Sequence, residues 1–199
     1  MNTIEQSLQK SMTYAEYRDK VFKLREDNKT TGDNHSQAML GYTDLNINRM
    51  DKWDKRFEVS EEAIETVNTL PQKETWLLLT EAWCGDAAHS VPVMEKLSQA
   101  SDKVDLRIVL RDENLPLMDM FLTNGGRSIP KLVRLNAETK EVIASWGPRP
   151  DELQEIFLKQ REDGLDRMEI NKTLQIWYAR DRGKTIEKEL LESLAVAKS

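Results

Sequence analysis

Trp76-Leu77-Leu78-Leu79 is an unbroken apolar run with polar residues on either side. A strand buried on one face alternates apolar and polar residues, and an amphipathic helix repeats every three or four. A short continuous run fits a strand covered on both faces, the situation inside a parallel or mixed sheet flanked by helices. The residues after the run extend that pattern. A helix is predicted from about residue 85 to 99, a second strand over Val104–Leu110 and a helix over Leu115–Leu122. Lys131–Leu135 and Glu141–Trp146 alternate on either side of the turn Asn136–Lys140, which reads as a hairpin. A further helix starts at Asp151 and runs to about Lys159. The central order is therefore β-α-β-α-β-β-α, an α/β fold built on a four-stranded mixed sheet.

Both flanks read as helical. Tyr14, Tyr17, Val21 and Leu24 recur at helical spacing, and Leu40, Leu45, Ile47 and Met50 mark a second apolar face. The segment Asn28–Asn34 between them is rich in turn formers. Ser60-Glu61-Glu62 opens another helix, with a capping hydroxyl and acids in the first turn, and Pro71 closes it. Beyond residue 160, two helices break near Gly164 and Gly183. The parts divide as an N-terminal helical extension over 1–73, an α/β core over 74–162 and a C-terminal helical extension over 163–199, forming one compact unit.

With 199 residues, 32% charged and 39% hydrophobic, the chain can bury a sizeable core. Its net charge of -6 argues against nucleic acid, which needs a basic footprint. No apolar run approaches the roughly 18–20 residues of a membrane span, so no membrane partner is expected. Met1-Asn2-Thr3-Ile4-Glu5-Gln6 lacks the basic-then-apolar pattern of a secretory signal. A single cysteine excludes an internal disulfide framework. These features together point to the cytoplasm, where thiols stay reduced.

That cysteine, Cys84, lies in Trp83-Cys84-Gly85-Asp86-Ala87 at the junction of the first strand and its helix. Ala87 stands where a second cysteine would complete Cys-x-x-Cys. A dithiol can close an internal disulfide, whereas a lone thiol can only form a mixed disulfide, be oxidised or stay inert.

The order of elements, with Trp-Cys-Gly at the first strand-to-helix junction, resembles the thioredoxin fold. Pro92 falls eight residues after Cys84, where thioredoxins kink the active-site helix. Arg127-Ser128-Ile129-Pro130-Lys131 resembles the Ile-Pro motif before the third core strand, whose proline is cis in that family and lies against the active-site cysteine. Trp146-Gly147 resembles the glycine after the last strand. The likeness covers roughly residues 74–160. Glu81–Ala87, Leu110–Leu115 and Trp146–Pro150 also resemble a bacterial branch of thioredoxin-like proteins with the same helical additions, from which no activity transfers. Two departures stand out. The resolving cysteine is Ala87, and the family's buried aspartate six residues before the first cysteine is Leu78. Without a resolving thiol to deprotonate, a buried acid would only cost desolvation. The family's first strand is replaced by N-terminal helices.

Cys84, just before the first turn of its helix, is the candidate nucleophile. It is read as exposed, with unpaired backbone N–H groups favouring a thiolate; the bland alternative is a thiol that packs. Trp83, Gly85, Asp86 and Ala87 line the same junction. Asp86 competes for those N–H groups, either as a helix-start acid or as a contact to a bound partner. Ile129 and Pro130 would offer a backbone edge to an extended peptide by strand addition. Arg111 and Arg127 would offer a carboxylate fork to a glutathione-like thiol, or pair with neighbouring acids. Trp146–Pro150 reads as a structural stop and Trp177-Tyr178 as packing. His89, about 140° around the helix from Cys84, reads as surface. Two histidines and one cysteine are too few for a metal site, so neither metal nor cofactor is expected.

The leading reading is single-cysteine exchange through mixed disulfides with a protein or low-molecular-weight thiol; the alternative is a redox-inactive interaction module, and a third reading is a peroxidatic cysteine. The last lacks the usual Thr or Ser three residues upstream, where Glu81 stands. The extensions would cover the sheet edge left by the missing strand or form a homodimer surface.

Overall fold

The computed structural model describes residues 2–196. Four helices precede the sheet: α1 (Thr3–Gln9), α2 (Tyr14–Glu26), α3 (Gln37–Arg56) and α4 (Glu61–Asn68). The core follows as β1 (Glu74–Thr80), α5 (Gly85–Gln99), β2 (Val104–Leu110), α6 (Leu115–Met118), β3 (Lys131–Asn136), β4 (Val142–Trp146) and α7 (Asp151–Glu162). Helices α8 (Arg167–Asp181) and α9 (Lys184–Val196) complete it.

The strands order as β2-β1-β3-β4. β1 runs parallel to β2 and antiparallel to β3, and β3–β4 is an antiparallel hairpin with an irregularity at Arg134/Leu135. Every residue of β1 is buried, as its apolar run requires. Burial of Leu77, Leu78 and Leu79, all 0% exposed, contributes about 2 kcal/mol each. The fold is thus the thioredoxin-like α/β arrangement with helical additions at both ends.

Helix starts follow local chemistry. Asn2, Thr13 and Asp166 each close a capping box with the glutamate three residues on, so two otherwise unpaired N–H groups are satisfied at each start. One element is shorter than its sequence suggests. α6 stops at Met118 instead of Leu122. There Thr123 and Gly126 exchange backbone hydrogen bonds (3.0 and 2.9 Å) across Asn124-Gly125, both at positive φ, and this turn redirects the chain.

The N-terminal helices do cover a sheet edge. Met12 and Ile108 exchange backbone hydrogen bonds of 2.9 and 2.8 Å, a one-residue bridge on the open side of β2. At the other end α9 is tied to the sheet through a charge in the core. Arg134, on β3, is fully buried and forks onto Glu74 of β1 at 2.6 and 2.8 Å. Its remaining nitrogen donates to the Ser193 hydroxyl at 2.9 Å, and Trp76 Nε1 donates to Glu74 Oε2 at 3.0 Å.

The segment entering β3 and the segment leaving β4 meet at one close approach. Ile129–Pro130 is a cis peptide, and Gly147 sits at φ +105 with its backbone against the prolyl segment. A Cβ there would lie 2.4 Å from the Pro130 carbonyl oxygen, so only glycine fits. Lys131 Nζ closes the same junction, donating to the Gly147 carbonyl (2.6 Å) and to Thr123 Oγ1 (2.7 Å).

Candidate functional site

Cys84 is the N-cap residue of α5, in extended conformation (φ -81, ψ 115), and makes no side-chain capping bond. It is not exposed, contrary to the sequence reading: 8% of it reaches solvent. Its Sγ–H donates to the Ile129 carbonyl oxygen at 3.2 Å. Ile129, itself 6% exposed, thus has its carbonyl turned to the thiol and little of it open to solvent. Pro130 and Ala87 are buried beside them.

The thiol's acidity also departs from the helix-terminus expectation. Burial, with the nearby Asp86 carboxylate adding to it, pushes the Cys84 thiol up to about 12. The backbone N–H groups of Ala87 and Asp86 and the charge of Arg149 pull the other way and lose. At this site desolvation outweighs the helix dipole.

Asp86 is held by two residues remote in sequence. Arg149 places two nitrogens on Oδ2, at 2.6 and 3.2 Å, and Tyr178 donates to Oδ1 at 2.8 Å. The guanidinium of Arg149 lies 4.2 Å from the Phe157 ring centroid. Tyr178 is fully buried and stacks on His89 at 4.2 Å. His89, read from sequence as surface, is 6% exposed, because Trp53 of α3 and Gln175 and Tyr178 of α8 lie against its ring. Trp53 Nε1 donates to His89 Nδ1 at 2.9 Å, which leaves Nε2–H to donate to Gln175 Oε1 at 2.8 Å. Burial lowers the His89 pKa to about 4, so the ring is neutral.

The N-terminal extension straps the loop ahead of the cysteine. Thr31 Oγ1 accepts the Ala82 N–H at 2.9 Å, Asn46 Nδ2 donates to the Ala82 carbonyl at 2.8 Å, and Trp83 Nε1 donates to the Thr31 carbonyl at 3.2 Å. Glu81, 0% exposed, accepts the Asp112 N–H at 2.9 Å, and burial raises its pKa.

A cavity of about 600 Å³ opens beside Cys84, between α3, the α5 N-terminus, α7 and α8. Trp83, Cys84, Gly85 and Asp86 form one wall. Arg111 and Arg127, predicted to line the site, are not on it. Arg111 pairs with Asp112 at 2.8 Å and lies 4.9 Å over the Trp83 ring, while Arg127 forks onto Asp119 at 2.7 and 2.9 Å, so both guanidiniums are occupied by neighbouring acids. The arginines on the cavity are Arg49, Arg149, Arg161 and Arg167, which the sequence reading did not single out. Among the described residues no group of three or more His, Cys, Asp or Glu could hold a metal, and no helix is long and apolar enough to cross a membrane.

Sheet order, the N-cap cysteine and the adjoining Ile-Pro segment define a thioredoxin-fold protein with one thiol where the family carries two. The thioredoxin family model matches residues 32–169, and the chain belongs to that family. The match takes in α3 and the start of α8 as well as the α/β core. No curated protein matches the sequence. A protein of unknown function from Pseudomonas aeruginosa shares the fold at a TM-score of 0.66 and 13% identity, over 99% of each chain. An HIV epitope scaffold shares it at a TM-score of 0.57 and 13% identity, over 92% of this chain and 98% of that one.

Proposed function

We propose that this chain is a redox-quiet thioredoxin-fold binding module, whose helical additions supply a ligand face beside the cysteine. The observation that carries this reading is the geometry of Cys84, buried and with its thiol donating to the Ile129 carbonyl, and burial there raises its pKa. Thiolate is the species that attacks a disulfide, and burial that raises the thiol so far keeps it protonated at neutral pH. The test is the pH dependence of Cys84 alkylation by iodoacetamide, in native and urea-unfolded protein. Native protein is expected to react far more slowly than unfolded protein up to pH 9. A native rate that rises with an apparent pKa well below 8.5 would replace this reading with the second.

The second reading is single-cysteine exchange. It is favoured by the position of Cys84 on the cavity wall, with two backbone N–H groups facing its sulfur. In it, the Cys84 thiolate attacks the disulfide of a protein or low-molecular-weight thiol and one of its sulfurs leaves as thiolate. An external thiol then attacks the mixed disulfide and returns Cys84. Cys84→Ser would abolish that exchange, whereas a binding module carrying the same substitution would still capture its partners, insensitive to reductant. Either activity belongs with the cytoplasm.

A further inference from the structure

The charge on the cavity wall runs against the charge of the whole chain. The protein carries a net -6, yet the charged residues of the cavity are four arginines and Asp86. Asp86 is already neutralised by Arg149, which leaves Arg49, Arg161 and Arg167. None of these three has a carboxylate within 4 Å among the described residues.

Their depths differ. Arg161 and Arg167 are exposed at the rim, on α7 and α8. Arg49 is half-buried on α3, and Nη1 donates to a neutral acceptor, Asn46 Oδ1, at 2.8 Å. A Cβ placed on Gly85 would lie 3.8 Å from that same nitrogen, so Arg49 sits directly beside the first residue of α5. A half-buried guanidinium with only a neutral partner is poorly compensated, and burial accordingly lowers its pKa. The N-terminus of α5 adds partial positive charge on the same side. Besides the amides Asn46, Asn171 and Gln175, the rest of the wall is largely apolar and aromatic, including Tyr42, Leu45, Phe157 and Leu165. Leu45 is 52% exposed although it belongs to the apolar series of α3, because it faces this cavity.

We propose that the cavity binds an amphipathic organic anion: a carboxylate, sulfonate or phosphate head against Arg49 and Gly85, with an apolar body along Tyr42, Leu45 and Phe157. A volume of about 600 Å³ suits a small molecule. The arginine fork supplies two donors in one plane for such a head group. This deepens the binding-module reading and rests on it.

The test uses 8-anilinonaphthalene-1-sulfonate as anionic probe and N-phenyl-1-naphthylamine as its neutral counterpart, with the full chain, by fluorescence and calorimetry. The anionic probe is expected to bind one per chain and to weaken about tenfold in Arg49→Gln. Arg49→Lys, which keeps the charge but not the planar fork, should recover only part of the affinity lost in Arg49→Gln, and rising salt should weaken binding. The exposed double variant Arg161→Glu/Arg167→Glu, which leaves the core untouched, should weaken it by a comparable factor. 1-Naphthoate and 1-naphthyl phosphate should displace the probe, and the tighter competitor names the head group. The inference is overturned if the anionic probe does not bind, if both arginine variants bind it as wild type does, if the neutral probe binds equally well, or if neither competitor displaces it. Cys84 alkylation measured on the same samples judges the binding-module reading separately. A fast native thiol would sink that reading even where the probe binds through the arginines.

Discussion

Asp86 Oδ2 accepts both the Nε and an Nη of Arg149, at 3.2 and 2.6 Å, joining the first turn of α5 to the segment between β4 and α7 across 63 residues of sequence. The two side chains are 12% and 10% exposed, so the pair lies largely out of water. Its carboxylate contributes to keeping the neighbouring thiol protonated. Replacing Arg149 by methionine leaves a carboxylate with only Tyr178 as partner. That change is expected to cost about 3 kcal/mol, read from the urea midpoint. Asp86→Asn/Arg149→Met should recover part of the loss. A single variant as stable as wild type would show that the pair contributes nothing.

His89 sets a pH dependence. Its ordinary value of 6.5 falls to about 4 in the fold, so the unfolded chain binds more protons in between. Stability from the neutral ring is fully present above about pH 6.5 and is lost as pH falls towards 4, up to about 3 kcal/mol over that window. His89→Gln should flatten the dependence between pH 6.5 and 4, seen as melting temperature against pH. A wild-type curve parallel to that of the variant would contradict the assignment.

The core ion pair gives a large single-site effect. Arg134 and Glu74 are each 1% exposed at the side chain. Arg134→Leu strands the Glu74 carboxylate in the core and is expected to cost about 4 kcal/mol, while Glu74→Leu/Arg134→Leu should be far milder. Guanidinium unfolding of the three proteins decides this. Equal losses in the single and double variants would mean that the site depends on shape alone.

Removing residues 1–70 takes away Thr31 and Asn46, which hold the Ala82 backbone, and Met12, which closes β2. The shortened chain is expected to aggregate, eluting in the void volume on gel filtration. A monodisperse, cooperatively melting product would show that the additions are dispensable to the core.

The elements were legible because their signals are local. The apolar run at 76–79, the alternation at 131–135 and the capping serine at 60 each act over a few residues, and the structure forms β1, β3 and α4 there. The site was legible at Cys84 and at Asp86, both carried by a short motif. Its remaining members were not, because nothing near them in sequence sets their role. Arg149 sits in Pro-Arg-Pro and reads as a stop, Tyr178 reads as packing, and Arg49 stands in no motif. His89 was misplaced because helical angle alone predicts an exposed face on a lone helix. That face is covered by α3 and α8, which lie 36 and 86 residues away at the Trp53 and Gln175 contacts. For Arg111 and Arg127 the sequence left a ligand fork and pairing with nearby acids both open, and the structure forms the pairs, with Asp112 and Asp119.

Gly147 leaves no room for a methyl group beside Pro130, and Arg149 follows two residues later. Any side chain at 147 would meet the Pro130 backbone, so the exit of β4 or the prolyl loop would have to shift. The junction that sets Ile129 against Cys84 on one side and leads to Arg149 on Asp86 on the other thus hangs on a residue with neither charge nor side chain, which mutational scans of charged positions alone would pass by.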